Sequence, residues 1–261
     1  MTSPAGRSIA LLVASLATFF LLAGCAALPQ GKASAADIGT SPWALLSAGP
    51  SVGPRDRWAH HAFPGKTPTE FEYARVDGRD AIAVHAQSSA SMLRHTLRVE
   101  PEDLGRMRFS WKVPALMELA DLAQRDKDDA AVRLVLVFEG DRSRFSSRDA
   151  ALSELAHALT GEPLPYATLM YVWCNRRAPG TVVPSPRTER IRKLVVESGP
   201  GRLNRWLDYE RDIRADYERV FGEAPGALVG IGIMTDSDNT KSQARAWYGP
   251  VQMDRVRNSV R

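Results

Sequence analysis

The stretch that most restricts what this chain can become is Leu228 to Val251, LVGIGIMTDSDNTKSQARAWYGPV. Its first part alternates as a half-buried strand does. Val229, Ile231 and Ile233 point one way, and Gly230 and Gly232 leave the other face almost bare. A loop dense in oxygen donors follows, with Asp236, Asp238, Asn239 and Thr240, and alternation resumes through Ala244, Ala246 and Tyr248. This is a strand–loop–strand unit, and it needs a sheet to pair with and a second layer to cover its apolar face.

The rest of the chain supplies both. Phe71 and Tyr73 start a strand, and Ile82, Val84 and Ala86 form another after the Asp77-Gly78 turn signal. Leu93, His95, Leu97 and Val99 alternate next. Met107, Phe109, Trp111 and Val113 then alternate strictly with Arg108, Ser110 and Lys112. Val132 to Phe138 is almost continuously apolar, as expected of a central strand covered on both faces. Leu169–Trp173 and Ile191–Val196 bring the total to roughly nine strands, enough for a sheet to split into two packed layers.

Two helices are expected at the periphery. Ser146 or Ser147 caps one whose Leu152, Leu155, Ala156 and Leu159 share a face, and Gly161 and Pro163 end it. The second is read from about Leu203 to Phe221, with Trp206, Tyr209, Ile213, Tyr217 and Val220 as its stripe and Gly222 as its stop. Its opposite face mixes signs, among them Arg205, Asp208, Arg211 and Asp216, and reads as solvated surface.

The N-terminus carries the clearest address. Arg7 precedes the apolar run Ile9–Leu22, which is short for a membrane span and fits a secretory signal. It ends in Leu22-Ala23-Gly24-Cys25, which resembles the lipobox of bacterial lipoproteins. The resemblance implies cleavage of residues 1–24 and acylation of Cys25, with palmitate-type chains holding the mature protein on the membrane. The uncleaved alternative is an anchor helix with an incidental cysteine. Residue 26 is Ala and not Asp, so the same resemblance favours the periplasmic face of the outer membrane. Residues 25–57, rich in Ala, Ser, Gly and Pro, read as a flexible tether, with Trp43, Leu45 and Leu46 docking on the domain of residues 58–261. Once Cys25 is lipidated, Cys174 has no partner and no disulfide forms. Cleavage leaves 33 basic and 30 acidic side chains without a long run of either sign, which argues against nucleic acid as a partner.

Five segments, DDAAVRLVLVFEGD, LPYATLMYVW, ERIRKLVVESG, DYERVFGEAP and GIGIMTDSDNT, resemble in order and spacing the bacterial family catalogued as domain of unknown function 3047. The resemblance spans about Trp58 to Val251. It implies a secreted or lipid-anchored protein and a jelly-roll-like antiparallel β-sandwich akin to galactose-binding domains. It implies no activity. Sandwiches of this kind often bind sugars, which is an analogy of fold.

Several residue groups are candidate sites. The Asp236–Thr240 loop offers ligand contacts, or part of a Ca²⁺ shell through Asp236 and Asp238. It is not an EF-hand, because Lys241 replaces the turn glycine and Trp247 the bidentate acid. Its structural alternative is a polar turn that caps its own backbone. Arg133 within an apolar strand needs a buried partner, either Asp129 or a carboxylate on a neighbouring strand, unless it binds ligand. Tyr166, Tyr171, Trp173, Trp247 and Tyr248 could offer sugar-stacking faces, and Tyr166 and Trp247 are expected to be the exposed ones. Glu139 and Asp141 are the catalytic candidates, as an acid and base pair at the end of the central strand. Cys174 lacks a neighbouring His, and His60-His61 lacks a third ligand. HExxH and P-loop motifs are absent.

The reading that results is a lipid-anchored envelope module, non-catalytic and without a required cofactor, binding a glycan or another envelope ligand. Two alternatives stand beside it. One is a hydrolase of envelope polysaccharide using carboxylates among Asp129, Glu139, Asp141, Asp236 and Asp238. The other is a module that docks an envelope protein on the charged helix 203–221.

Overall fold

The structure, a computed structural model, describes residues 38–47 and 58–254. The expected signal peptide, Cys25 and most of the expected tether lie outside the described residues. No described helix is long and apolar enough to cross a membrane.

Two sheets face each other. The first has seven strands: β1 (Ala59–Ala62), β4 (Ala90–Val99), β11 (Leu228–Asp236), β6 (Ala130–Phe138), β7 (Ala167–Cys174), β9 (Ile191–Ser198) and β8 (Val182–Pro184), in that order. The second runs β10 (Trp206–Asp212), β5 (Arg106–Lys112), β12 (Gln243–Tyr248), β3 (Arg79–Gln87) and β2 (Glu70–Val76), with β13 (Gln252–Met253) also on β5. Neighbours are antiparallel except β7 and β9, which are parallel. The expected mainly-β sandwich is therefore present.

Local chemistry explains the hairpins. Asp77 and Gly78 both hold positive φ, 52° and 79°, as the tight turn between β2 and β3 requires for its twist to match the strands. In β5, Met107, Phe109 and Trp111 all face the core. Strand β6 is buried on both faces. Val132, Leu134, Leu136 and Phe138 join the inter-sheet core, while Val135 packs outward with Ala90 and Met234. In β11 a bulge at Leu228/Gly230 alters the expected parity. Leu228 joins Ile231 and Ile233 in the core, and Val229 turns to the outer face beside Gly230.

Three helices are described: α1 (Pro42–Leu46), α2 (Ser147–Thr160) and α3 (Ile213–Phe221). Ser146 caps α2 by accepting from the Asp149 N–H, and Gly161 ends it at φ 75°. The expected helix 203–221 is half wrong. Residues 206–212 form β10, which pairs with β5 from Trp206↔Lys112 to Asp212↔Arg106. Pairing with a remote strand overrides a pattern that also fits helical spacing. The helix begins only where the Asp212 side chain accepts from the Ala215 N–H. The charges read as one solvated helix face therefore separate. Arg79–Asp208 and Arg106–Glu210 are inter-strand pairs, and Arg211 holds Asp216, so these charges do not form the face of one continuous helix.

Within the stretch read as a tether, residues 38–47 pack on the sandwich. Ile38 and Trp43 are fully buried, and the Trp43 ring lies 4.8 Å from that of Trp58. Leu45 and Leu46 remain exposed.

Candidate functional site: a groove across the seven-stranded sheet

The outer face of the seven-stranded sheet carries an open groove of about 1150 Å³. Alternate residues of neighbouring strands make its floor, among them Met92 from β4, Val135 and Val137 from β6, Met170 from β7 and Met234 from β11. Glycines 230 and 232 deepen it. A Cβ on Gly232 would lie 2.9 Å from the Met92 sulfur, and one on Gly230 would touch Val137 at 3.4 Å. The wall beside β6 and β7 comes from their connection, which contains α2 and contributes Ala156, Thr160 and residues 162–166.

One end is built on a buried ion network. Arg133 is 3% exposed and donates from Nε to Asp236 Oδ1 at 2.8 Å and from Nη2 to Asp236 Oδ2 at 2.9 Å. Nη2 also reaches the Asp128 carbonyl at 2.7 Å and its Oδ1 at 3.0 Å. Lys193, 1% exposed, donates to Asp128 Oδ2 at 2.5 Å and to the Leu122 carbonyl at 2.7 Å. Burial works against the Arg133 charge, but Asp236 and Asp128 outweigh it and hold the guanidinium above its usual value. Burial likewise opposes ionisation of Asp128, and Arg133 and Lys193 more than offset it. Burial raises Asp236 to about 6 despite Arg133. Burial and the Arg133 charge bring Lys193 down to about 8.

The partner of Arg133 is thus a carboxylate on a neighbouring strand. Asp129 pins the loop instead. Its Oδ1 accepts from Asn239 Nδ2 at 2.8 Å, and its Oδ2 accepts from the Thr240 N–H at 2.7 Å and the Thr240 hydroxyl at 2.6 Å. Asp238 pairs with Lys66. Asp129, Asp236 and Asp238 come close enough to share a cation, yet each carboxylate already has a cationic or N–H and O–H partner. The donor set is that of a loop capped from outside by Asp129, not by its own side chains, and locked to a buried arginine, and it does not fit a Ca²⁺ shell of six to eight free oxygens.

The aromatic candidates scatter. Tyr248 is 1% exposed, between the sheets. Its hydroxyl donates to the Met234 carbonyl at 2.5 Å and accepts from the Arg133 N–H at 3.2 Å. It thereby serves backbone groups beside the β11–β6 irregularity at Met234/Asp236. Tyr171 and Trp173 are core. Tyr166, expected to be exposed, is 4% exposed. Arg190 covers its ring at 3.9 Å, Phe145 stacks on it at 5.8 Å, and its hydroxyl donates to Glu223 at 3.0 Å. Only part of Tyr166 reaches the groove wall. Trp247 is half-buried on β12, in the other sheet, with Lys112 over its ring. No sugar-stacking platform is assembled from these residues.

Glu139 lines the far end of the groove and is held by Arg98 at 2.8 Å. Asp141 accepts from the Ser143 N–H and hydroxyl and caps a turn, and it is not among the groove-lining residues. Cys174 is buried and accepts from the Arg177 N–H at 3.4 Å. His60 bonds Ser91, and His61 lines the groove. Sequence reasoning missed Lys193 and the Val–Met floor. The Lys193 signal was there, a cation followed directly by the apolar run Leu194–Val196 in the strand IRKLVV, much as Arg133 stands in an apolar strand.

Comparison with solved structures finds endoglucanase 3 of Trichoderma harzianum, from family GH12, at 8% identity and TM-score 0.40, covering 78% of this chain and 92% of that one. The xyloglucanase domain of NopAA from Sinorhizobium fredii is similar at 10% identity and TM-score 0.36, covering 76% and 92%. None of the curated proteins compared with the chain matches it. A family model does match, over residues 56–252, so the chain belongs to the family described as protein of unknown function DUF3047.

Proposed function

We propose that this chain is a lipid-anchored envelope module that captures an elongated ligand in the groove of its seven-stranded sheet and does not cut it. One observation carries the non-catalytic part. All five carboxylates that line the groove are engaged: Asp128 and Asp236 by Arg133, Asp238 by Lys66, Glu139 by Arg98 and Glu162 by Arg94. A carboxylate-dependent glycosidase needs one acid free to give its proton and another free to attack or to activate water. Here each acid balances a cation. The groove follows β6, whose nine residues span roughly 27 Å, so the ligand is a chain. The anchor is the acyl group expected on Cys25, and the outer membrane is the expected site.

Titration calorimetry with soluble glycan oligomers and with single-chain amphiphiles, run beside a reducing-end assay, tests this reading. Saturable binding of one class without new reducing ends, lost in Gly230→Trp, is the expected result. Release of reducing ends would overturn the non-catalytic reading. Silence from both classes would overturn the binding reading.

A further inference from the structure

We infer that the groove takes the hydrocarbon chain of a single-chain anionic amphiphile, such as a fatty acid or a lysophospholipid. This rests on the binding reading above and names its ligand class. The floor is an outward-facing apolar cluster in which Ala90, Val135 and Met234 are buried and Phe63, Met92, Val137 and Met170 stay partly open. Aliphatic and thioether side chains give a smooth surface that adapts to a methylene chain. A glycan needs hydroxyl partners at every ring, and here most of the charged side chains that line the groove are already paired with each other. A single leaflet's acyl chain, about half of a ~30 Å hydrocarbon core, fits along β6.

The charge around this floor points to an anionic head. Arg142 lines the groove, and its side-chain hydrogen bonds go to the Leu164 carbonyl and the Ser153 hydroxyl. Arg187, exposed on the loop after β8, reaches only the Asn239 amide oxygen, at 3.4 Å. Neither bonds a carboxylate among the described residues, unlike the other groove-lining cations Lys66, Arg94, Arg133 and Lys193. A guanidinium without a carboxylate suits a carboxylate or phosphate head.

The neighbouring helix adds an independent observation. Ala156 and Thr160 on one stripe of α2 line the groove. Leu155 and Leu159 on the adjoining stripe are 56% and 67% exposed, while the inward residues Asp149 and Ser153 are polar. Apolar surface thus continues from the groove wall to the outside of the molecule, as suits a ligand that arrives from a lipid surface.

The test uses the full chain carrying Cys25→Ser, so that no acyl group of its own competes, with dansyl-undecanoate as the reporter. Palmitate and lysophosphatidylglycerol are expected to displace the reporter, and chitohexaose is not. Val137→Glu, at a half-open floor position, is expected to weaken reporter binding at least tenfold with an unchanged circular dichroism spectrum. Arg142→Gln is expected to weaken palmitate several-fold and leave hexadecanol unaffected. Binding of chitohexaose with no effect of palmitate would overturn the acyl assignment and leave groove binding standing. No binding of reporter, palmitate or oligosaccharide would overturn both. An equal effect of Arg142→Gln on palmitate and hexadecanol would overturn the anionic head.

Discussion

Replacing Arg133 by Met probes the network on which one end of the groove is built. The guanidinium makes four hydrogen bonds to the two acids, two to Asp236 and two to Asp128, and all three residues are at most 9% exposed. Removing one member of such a buried set strands the others and costs about 3–5 kcal/mol. Asp128 keeps Lys193, whereas Asp236 keeps only the Ala130 N–H at 3.0 Å, so the loss falls mainly on Asp236. Asp236 already titrates near about 6 because it is buried, and without Arg133 its carboxyl moves higher still and takes up a proton. Above about 6 the native variant then binds more protons than the native wild type, while the unfolded chains bind alike, so its deficit grows as pH rises through that range, by up to about 1.4 kcal/mol per unit. Guanidinium unfolding at pH 5.0 and 8.0 reads this directly, and the deficit should be larger at pH 8.0. Adding Asp236→Leu removes the stranded acid and should restore more than about 1 kcal/mol. A single-variant loss below about 1 kcal/mol, or a double variant whose loss is the simple sum of two, would refute the reasoning.

Tyr248→Phe removes the hydroxyl that serves the Met234 carbonyl and the Arg133 N–H, and urea unfolding should show a loss of about 1–3 kcal/mol. Trp43→Ala opens a cavity at a fully buried ring and should cost about 3–5 kcal/mol. An unchanged melting midpoint would show that residues 38–47 are not part of the domain. Lys193 is held at about 8, so between pH 8 and 10.5 the native state binds fewer protons there than the unfolded state, and this residue's contribution makes stability rise with pH. In Lys193→Met that component should vanish, which parallel melts across the window would detect.

Much of the sandwich was legible because it follows local rules. The Asp77-Gly78 turn, the strict alternation of Met107 to Val113, the double burial of β6 and the Ser146 and Gly161 boundaries of α2 each depend on residues within a few positions of each other. Arg133 was legible as a problem, since a cation inside an apolar strand demands a partner wherever that partner lies.

What the sequence by itself determined was the element type of most strands, their periodicity and the need for two layers. Tertiary structure decided which residues meet. Asp236 rather than Asp129 holds Arg133 because the β6–β11 pairing brings together residues 103 positions apart. Tyr248 and Trp247, adjacent in sequence, went to the core and to a half-buried position on the other sheet, away from the groove, because face is set by register. Residues 206–212 became strand because β5 had an open edge to pair, a fact no local pattern contains. The groove itself belongs wholly to that second level. Its floor is one residue in two from strands scattered between β4 and β11, and only their side-by-side order makes a surface of them.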